Sequence, residues 1–106
     1  MVKLTINGRK YKYSINGEYD EQTLDDDIVL FMKDVNKIFS MNSTASFIWS
    51  KIKAVDEGSS AISSEGIAND IIAHYDYDKN MYDTIVGDVN DTIGMFIDEE
   101  LLLLPS

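Results

Sequence analysis

The sequence contains no cysteine, a single proline, a single histidine, and no apolar run approaching the ~20 residues a helix needs to cross a bilayer. Without cysteine there is no disulfide framework, thiolate zinc site, iron–sulfur cluster or cysteine nucleophile. His74 has no second histidine or cysteine with which to share a metal, and near a helix end it reads as a cation facing the negative pole of the dipole. Positive charge is also scarce: nine Lys and Arg stand against nineteen Asp and Glu, a formal net charge of −10. That balance repels phosphate backbones and favours neutral or basic partners. The segment Met1–Gly8 alternates like a strand and lacks the apolar block of a signal peptide, so a cytoplasmic protein with no membrane association is expected.

What is present is the composition of a folded domain. With 106 residues, 44% apolar and 10% aromatic, the chain is expected to form one domain, residues 1–106, around one core. Residues 2–6 and 10–15 alternate with the period of a strand on either side of Asn7-Gly8, a pair suited to a two-residue turn with φ above zero at both positions. The resulting hairpin holds four of the nine basic residues, Lys3, Arg9, Lys10 and Lys12, which read as charges on the solvent face and edge of a small sheet that oppose aggregation.

The stretch from Ile28 to Trp49 organises the rest. Residues 28–32 and 37–41 are rich in β-branched and aromatic side chains and flank the turn formers Lys33–Asn36, which predicts two more strands. Asn42 and Ser43 suit an N-cap, and Ala45, Ile48, Trp49 and Ile52 then recur at helical spacing, predicting a helix near 43–53 with Lys51 and Lys53 in its last turn. Residues 54–63 read as a connector. A second helix is expected near 64–75, with Ile67, Ile71, Ile72 and Tyr75 on one face. A third is expected near 80–98, capped by Asn80 and carrying Tyr82, Ile85, Val86, Val89, Ile93, Phe96 and Ile97 as its stripe. Leu101–Leu104 reads as an apolar tail docked on the core. The expected fold is therefore α+β: a small antiparallel sheet, made of the N-terminal hairpin and the strands near 28–32 and 37–41, followed by three helices in a winged helix-turn-helix-like order.

Acidic residues invite two metal hypotheses, and both fail on spacing. Asn16–Asp27 holds Glu18, Asp20, Glu21 and the triple Asp25-Asp26-Asp27, but it lacks the spaced oxygens and sharp glycine turn of a calcium loop and reads as a solvated loop. Asp76, Asp78 and Asn80 match the opening of an EF-hand. Met81 then stands where the turn needs glycine, and Gly87 where the site needs a bidentate glutamate. No metal and no cofactor are expected.

Ile28-Val29-Leu30-Phe31, then Met41-Asn42, Thr44-Ala45 and Ile48-Trp49, resemble the PqqD-like family of peptide chaperones, also called RiPP recognition elements. Their pattern is a hydrophobic strand, a turn, a strand ending in Leu-Asn, then Thr-Ala and a helix containing Ile-Trp or Ile-Leu; Met41 here stands for the Leu. Residues 64–75 resemble the family's second helix. Asp88-Val89 through Ile93, Phe96, Ile97, Leu101 and Leu102 resemble its last helix and apolar ending, with Glu100 where the pattern has Gly. The resemblance spans roughly residues 28–104.

These residues bear differently on three function classes. A winged-helix order suggests DNA binding, but residues 78–100 carry seven acids against Lys79 alone, and the second helix has no Lys or Arg, so no nucleic-acid partner is expected. An enzyme lacks candidates for nucleophile, metal or phosphate loop, and no catalytic residue is named. A binding module remains. The resemblance implies a carrier that binds the leader segment of a ribosomally made precursor peptide and presents it to a modifying enzyme such as a radical-SAM maturase, a cyclodehydratase or a leader peptidase. The alternative is a small acidic regulatory or structural subunit that binds one folded partner. By the resemblance, the leader adds as a strand along Lys37, Ile38, Phe39, Ser40 and Met41, against a wall of Tyr82, Ile85, Val86 and Val89, with Phe39 and Met41 facing the helices. The acidic third helix suits a leader with Lys or Arg near its anchors, and a free edge also allows a homodimer. Periodicity places Met41, Phe47, Ile48, Trp49, Ile71, Val89, Ile93 and Phe96 in the core. Trp49→Ala is accordingly expected to cost about 3–5 kcal/mol in chemical denaturation, and a variant that unfolds like the parent contradicts the placement.

Overall fold

The alternating segments at the N-terminus pair as predicted. In the computed structural model, which describes residues 2–33, 37–58 and 61–104, β1 (Val2–Ile6) and β2 (Arg9–Ile15) form an antiparallel hairpin. Asn7 and Gly8 both lie at positive φ, 51° and 77°, as this tight turn requires. The chain continues through β3 (Tyr19–Leu24), β4 (Asp27–Met32), β5 (Ile38–Ser40), α1 (Ser43–Gly58), β6 (Ala61–Ser63) and α2 (Ser64–Tyr75). A 3-10 turn (Lys79–Met81), α3 (Tyr82–Asp98) and β7 (Leu102–Leu103) complete it.

The α+β class and the three helices stand, but the strands divide between two sheets, ordered β6-β1-β2-β7 and β3-β4-β5. The first closes the N-terminal hairpin on both sides with late segments, β6 running parallel to β1 and β7 antiparallel to β2. The second contains a strand that the sequence reading assigned to a loop. β3 pairs with β4 along its whole length, from Tyr19↔Met32 to Leu24↔Asp27, and Asp25 at φ 56° turns the corner. Asp tolerates left-handed backbone better than most residues, so two of the three aspartates are turn chemistry. All of β3 beyond Tyr19 is exposed, so its strand state comes from backbone pairing and leaves no apolar period to read.

Helix α1 runs five residues past its expected end and touches both sheets. Its extension moves Lys51 and Lys53 out of the last turn; they pair instead with Asp70 at 3.3 Å and Glu21 at 3.0 Å. The expected connector holds the end of α1 and the short β6, with Ser59 and Ser60 outside the described residues, as are residues 34–36 of the Lys33–Asn36 turn. Asn42 does cap α1, its Oδ1 accepting from the Ala45 N–H at 2.8 Å. Asn80 does not cap α3: Asp78 caps the preceding 3-10 turn, and Met81 enters α3 without a side-chain cap.

The core gathers Val2, Leu4 and Tyr13 from the first sheet, Ile28 and Leu30 from the second, Ile48, Trp49 and Ile52 from α1, and the buried stripes of α2 and α3. Every expected core residue is buried except Phe47, which is half-buried and packs against the cluster. Trp49 meets Phe96 edge-on at 5.2 Å, and its indole N–H donates to Glu21 Oε1 at 2.9 Å. Burial of Tyr13 pushes its phenol pKa up, with Tyr11 nearby adding to the effect.

Helix α3 ends in a Schellman motif: the Leu101 N–H donates to Phe96 O at 2.8 Å and the Glu100 N–H to Ile97 O at 3.0 Å, with Glu100 at φ 61°. Asn16 Nδ2 donates to Glu100 O, and the Asn16 N–H to Leu101 O, so this turn aims β7 onto β2. Glutamate is strained in this conformation where glycine is not. Glu100→Gly is therefore expected to stabilise the fold by about 0.5–1 kcal/mol, read as a raised melting temperature; an unchanged or lowered value contradicts the strain.

Candidate functional site

β5 has β4 on one side and, among the described residues, no strand on the other. Its backbone polarity follows from the register. The Met32 N–H donates to Lys37 O at 2.9 Å and the Met41 N–H to Ile28 O at 2.9 Å. In an antiparallel ladder such hydrogen-bonded pairs alternate, so Phe39, opposite Leu30, also faces β4. Ile38 and Ser40 therefore direct their N–H and C=O groups to the open side. Their side chains are exposed, Ile38 at 62%, while Phe39 is half-buried and packed against the core.

A buried serine fixes this edge. Ser46, in the first turns of α1 and only 3% exposed, accepts from the Ile28 N–H at 2.9 Å and lies 3.3 Å from Met41 O, to which its hydroxyl donates. Ile28 is the second residue of β4 and Met41 follows β5, so one hydroxyl ties both strands to the helix. Asn42 and Ala45 then line a cleft of about 430 Å³ with Thr44 and, across from them, Asp88, Asp91, Thr92 and Met95. The last four fall on one face of α3 at helical spacing. Near the other end of β5, Lys37 Nζ donates to Glu99 Oε2 at 3.0 Å. That bond, with the Glu99 charge, raises the Lys37 pKa and keeps the ammonium charged across the physiological range. The segment around β5 thus meets α3 at two places: Lys37 pairs with Glu99 just past the end of the helix, and Asn42, Thr44 and Ala45 face Asp88, Asp91, Thr92 and Met95 across the cleft.

The expected site residues separate on this geometry. Lys37, Ile38, Phe39 and Ser40 share the open edge, and Met41 is buried at its end. The expected wall is not one surface: Ile85 and Val89 belong to the buried core, and Tyr82 lines a separate cleft with Ile72 and Tyr77. Val86 is half-buried against the core. The stripe that reads as most apolar in a sequence is the one α3 spends on its own core, so the face left for the cleft carries Asp88, Asp91 and Thr92. Only the exposed Met95 would have marked it. Ser46 was likewise missed, although a hydroxyl between Ala45 and the Ile48–Trp49 pair, on a buried stripe, signals a polar partner.

Among the described residues, no three His, Asp or Glu side chains gather so as to hold a metal ion, and no helix is long and apolar enough to cross a membrane. The model of the family described as coenzyme PQQ synthesis protein D (PqqD) matches residues 27–102. Among solved structures, TbiB1 in complex with the TbiA(beta) leader peptide is similar, at 27% identity and a TM-score of 0.63, covering 83% of this chain and 92% of that one. Among curated proteins nothing matches. Residues 1–26, with the β1–β2 hairpin and all of β3, precede the family match.

The Ser46 hydroxyl has no solvent to replace it. Ser46→Ala leaves the Ile28 N–H and part of the Met41 carbonyl unsatisfied, and is expected to cost about 1–3 kcal/mol and to speed hydrogen exchange in residues 28–41. Exchange unchanged there would show that the strands hold without it.

Proposed function

The chain belongs to the PqqD family, and from that premise we propose that it is a non-catalytic carrier of a precursor peptide's leader segment, acting in the cytoplasm beside a modifying enzyme. The observation that carries this reading is the open side of β5, where the N–H and C=O groups of Ile38 and Ser40 have no partner strand among the described residues, with a cleft between the start of α1 and α3 beginning at Asn42, just past the strand's end. The structural neighbour TbiB1, itself solved with a leader peptide, supports the same class of ligand.

Strand addition explains how so small a domain holds a flexible peptide. Backbone pairing along residues 37–41 supplies affinity that tolerates sequence variation, and alternate side chains of the peptide are chosen by what they meet. We assign the selecting wall to Asp88, Asp91, Thr92 and Met95, in place of Tyr82, Ile85, Val86 and Val89, because the former line the cleft that begins at Asn42, just past the end of β5. Met95 offers an apolar contact, and the two aspartates suit a leader with Lys or Arg beside its apolar anchor. Ordering a free peptide consumes part of the interaction energy, so an affinity in the micromolar range, about −8 kcal/mol, is expected. The enzyme served is of the class that takes a leader-bound substrate: a radical-SAM maturase, a cyclodehydratase or a leader peptidase. A short precursor reading frame beside this gene would identify the peptide.

Proline provides a clean test, because at Ser40 it removes an outward N–H without removing a bond to β4. Ser40→Pro is expected to weaken binding of that leader by about tenfold, the worth of one net hydrogen bond, while the melting temperature stays close to the parent's. Unchanged affinity in the folded variant rules out strand addition at β5.

A further inference from the structure

The hairpin that precedes the family-matched segment carries a second open edge, and its charge is opposite to that of the rest of the chain. Residues 2–15 contain Lys3, Arg9, Lys10 and Lys12 and no acid, whereas the remaining residues hold five basic against nineteen acidic side chains. Lys33, Lys37, Lys51 and Lys53 each pair with a carboxylate within 3.7 Å. Lys3, Arg9, Lys10 and Lys12 are exposed, and none has an ion-pair partner among the described residues.

Register concentrates these charges. Lys3 lies directly opposite Lys12, and Thr5 opposite Lys10. A two-residue turn makes Ile6–Arg9 a hydrogen-bonded pair, so Lys3–Lys12 falls in the alternate, non-hydrogen-bonded kind, whose Cα atoms sit only about 4.5 Å apart and whose side chains are closest. Like charges so placed repel, which is a cost without return in the isolated domain. Edge protection does not account for Lys3, because β1 lies between β6 and β2. Lys3, Lys10 and Lys12 instead ring a cleft of about 320 Å³ floored by Thr5 and Ala61. The backbone of β2 is open along its other edge, the one turned away from β1: β7 covers β2 only at Ser14 and Ile15, and by the same alternation Lys10 and Lys12 point their N–H and C=O groups away from β1, while their side chains stay on the face that holds the cleft.

We infer that the open edge of β2 over residues 9–13, with Lys3 behind it, is a second binding site, which docks an extended acidic segment of a protein partner by strand addition. The segment's carboxylates would sit over Lys3, Lys10 and Lys12 while its backbone pairs with Lys10 and Lys12. A protein segment fits better than a nucleic acid because the positive strip is only about 17 Å long, the length of a five-residue strand, and a longer polyanion would run onto acidic surface within a few Debye lengths. It is also a partner distinct from the leader, since the cleft past the end of β5 carries the opposite charge. The inference does not depend on what occupies β5.

The test is an amide-shift titration of the isotope-labelled full chain with a synthetic peptide of about ten alternating Glu and Thr residues, long enough at about 3.4 Å per residue to span the edge. The expected result is shifts centred on residues 9–13 with residues 38–40 unmoved, and affinity falling by about tenfold or more as salt rises from about 0.05 to about 0.3 M. The Lys10→Gln/Lys12→Gln variant should lose about tenfold at an unchanged melting temperature, and Lys3→Gln, which leaves the edge strand untouched, should lose affinity in the same direction. Absence of binding, shifts elsewhere, equal binding of a matched Lys–Thr peptide, or undiminished affinity in both variants overturns the inference. Tighter binding of a short DNA duplex at the same residues overturns it as well.

Discussion

The hydroxyl of Ser46 is the constraint on which the β5 edge depends. Met41 donates to Ile28, Ile28 donates to Ser46, and Ser46 donates back to Met41, a closed ring in which one helix residue sets the separation and register of two strands. β5 is only three residues long, too short to hold itself against β4 by ladder bonds alone. Anchored at Met41 and continued without a linker into α1, it becomes a fixed edge, and a peptide that pairs with it does not have to order it first.

Charge then distinguishes the faces of the molecule. The net charge of −10 hides an uneven distribution: acids line the α3 side of the β5 cleft, while an unneutralised set of lysines covers the outer face of β1 and β2. The open edges of β5 and β2 thus lie in surroundings of opposite charge, so the two proposed sites would not compete for one ligand. The third helix carries too many acids to approach a phosphate backbone in the manner its winged-helix order would otherwise suggest.

Legibility in the sequence followed apolar periodicity. The helices, the N-terminal hairpin, β4, β5 and the core around Trp49 and Phe96 were readable because each buries a periodic face. β3 was not, since it faces solvent and exists through pairing with β4, and neither was the partition into two sheets, which rests on the long-range strands β6 and β7. The edge of the candidate site was visible as a strand before a capped helix. Of the expected wall, Ile85 and Val89 are buried in the core, while the cleft past the end of β5 is lined by the polar face of α3, which carries no apolar period to read. Glu100 stands where the family pattern has glycine, and in the structure it adopts the left-handed backbone that glycine favours, at φ 61°.

The most direct test is an amide-shift titration of the labelled chain with the leader of its cognate precursor peptide. The account predicts the largest changes at the Ile38 and Ser40 amides, which face the open edge, with smaller ones at Phe39, which faces β4, and accompanying shifts along residues 88–95. Saturable binding that leaves Ile38 and Ser40 unmoved, or that perturbs the outer side of β3 instead, would contradict it.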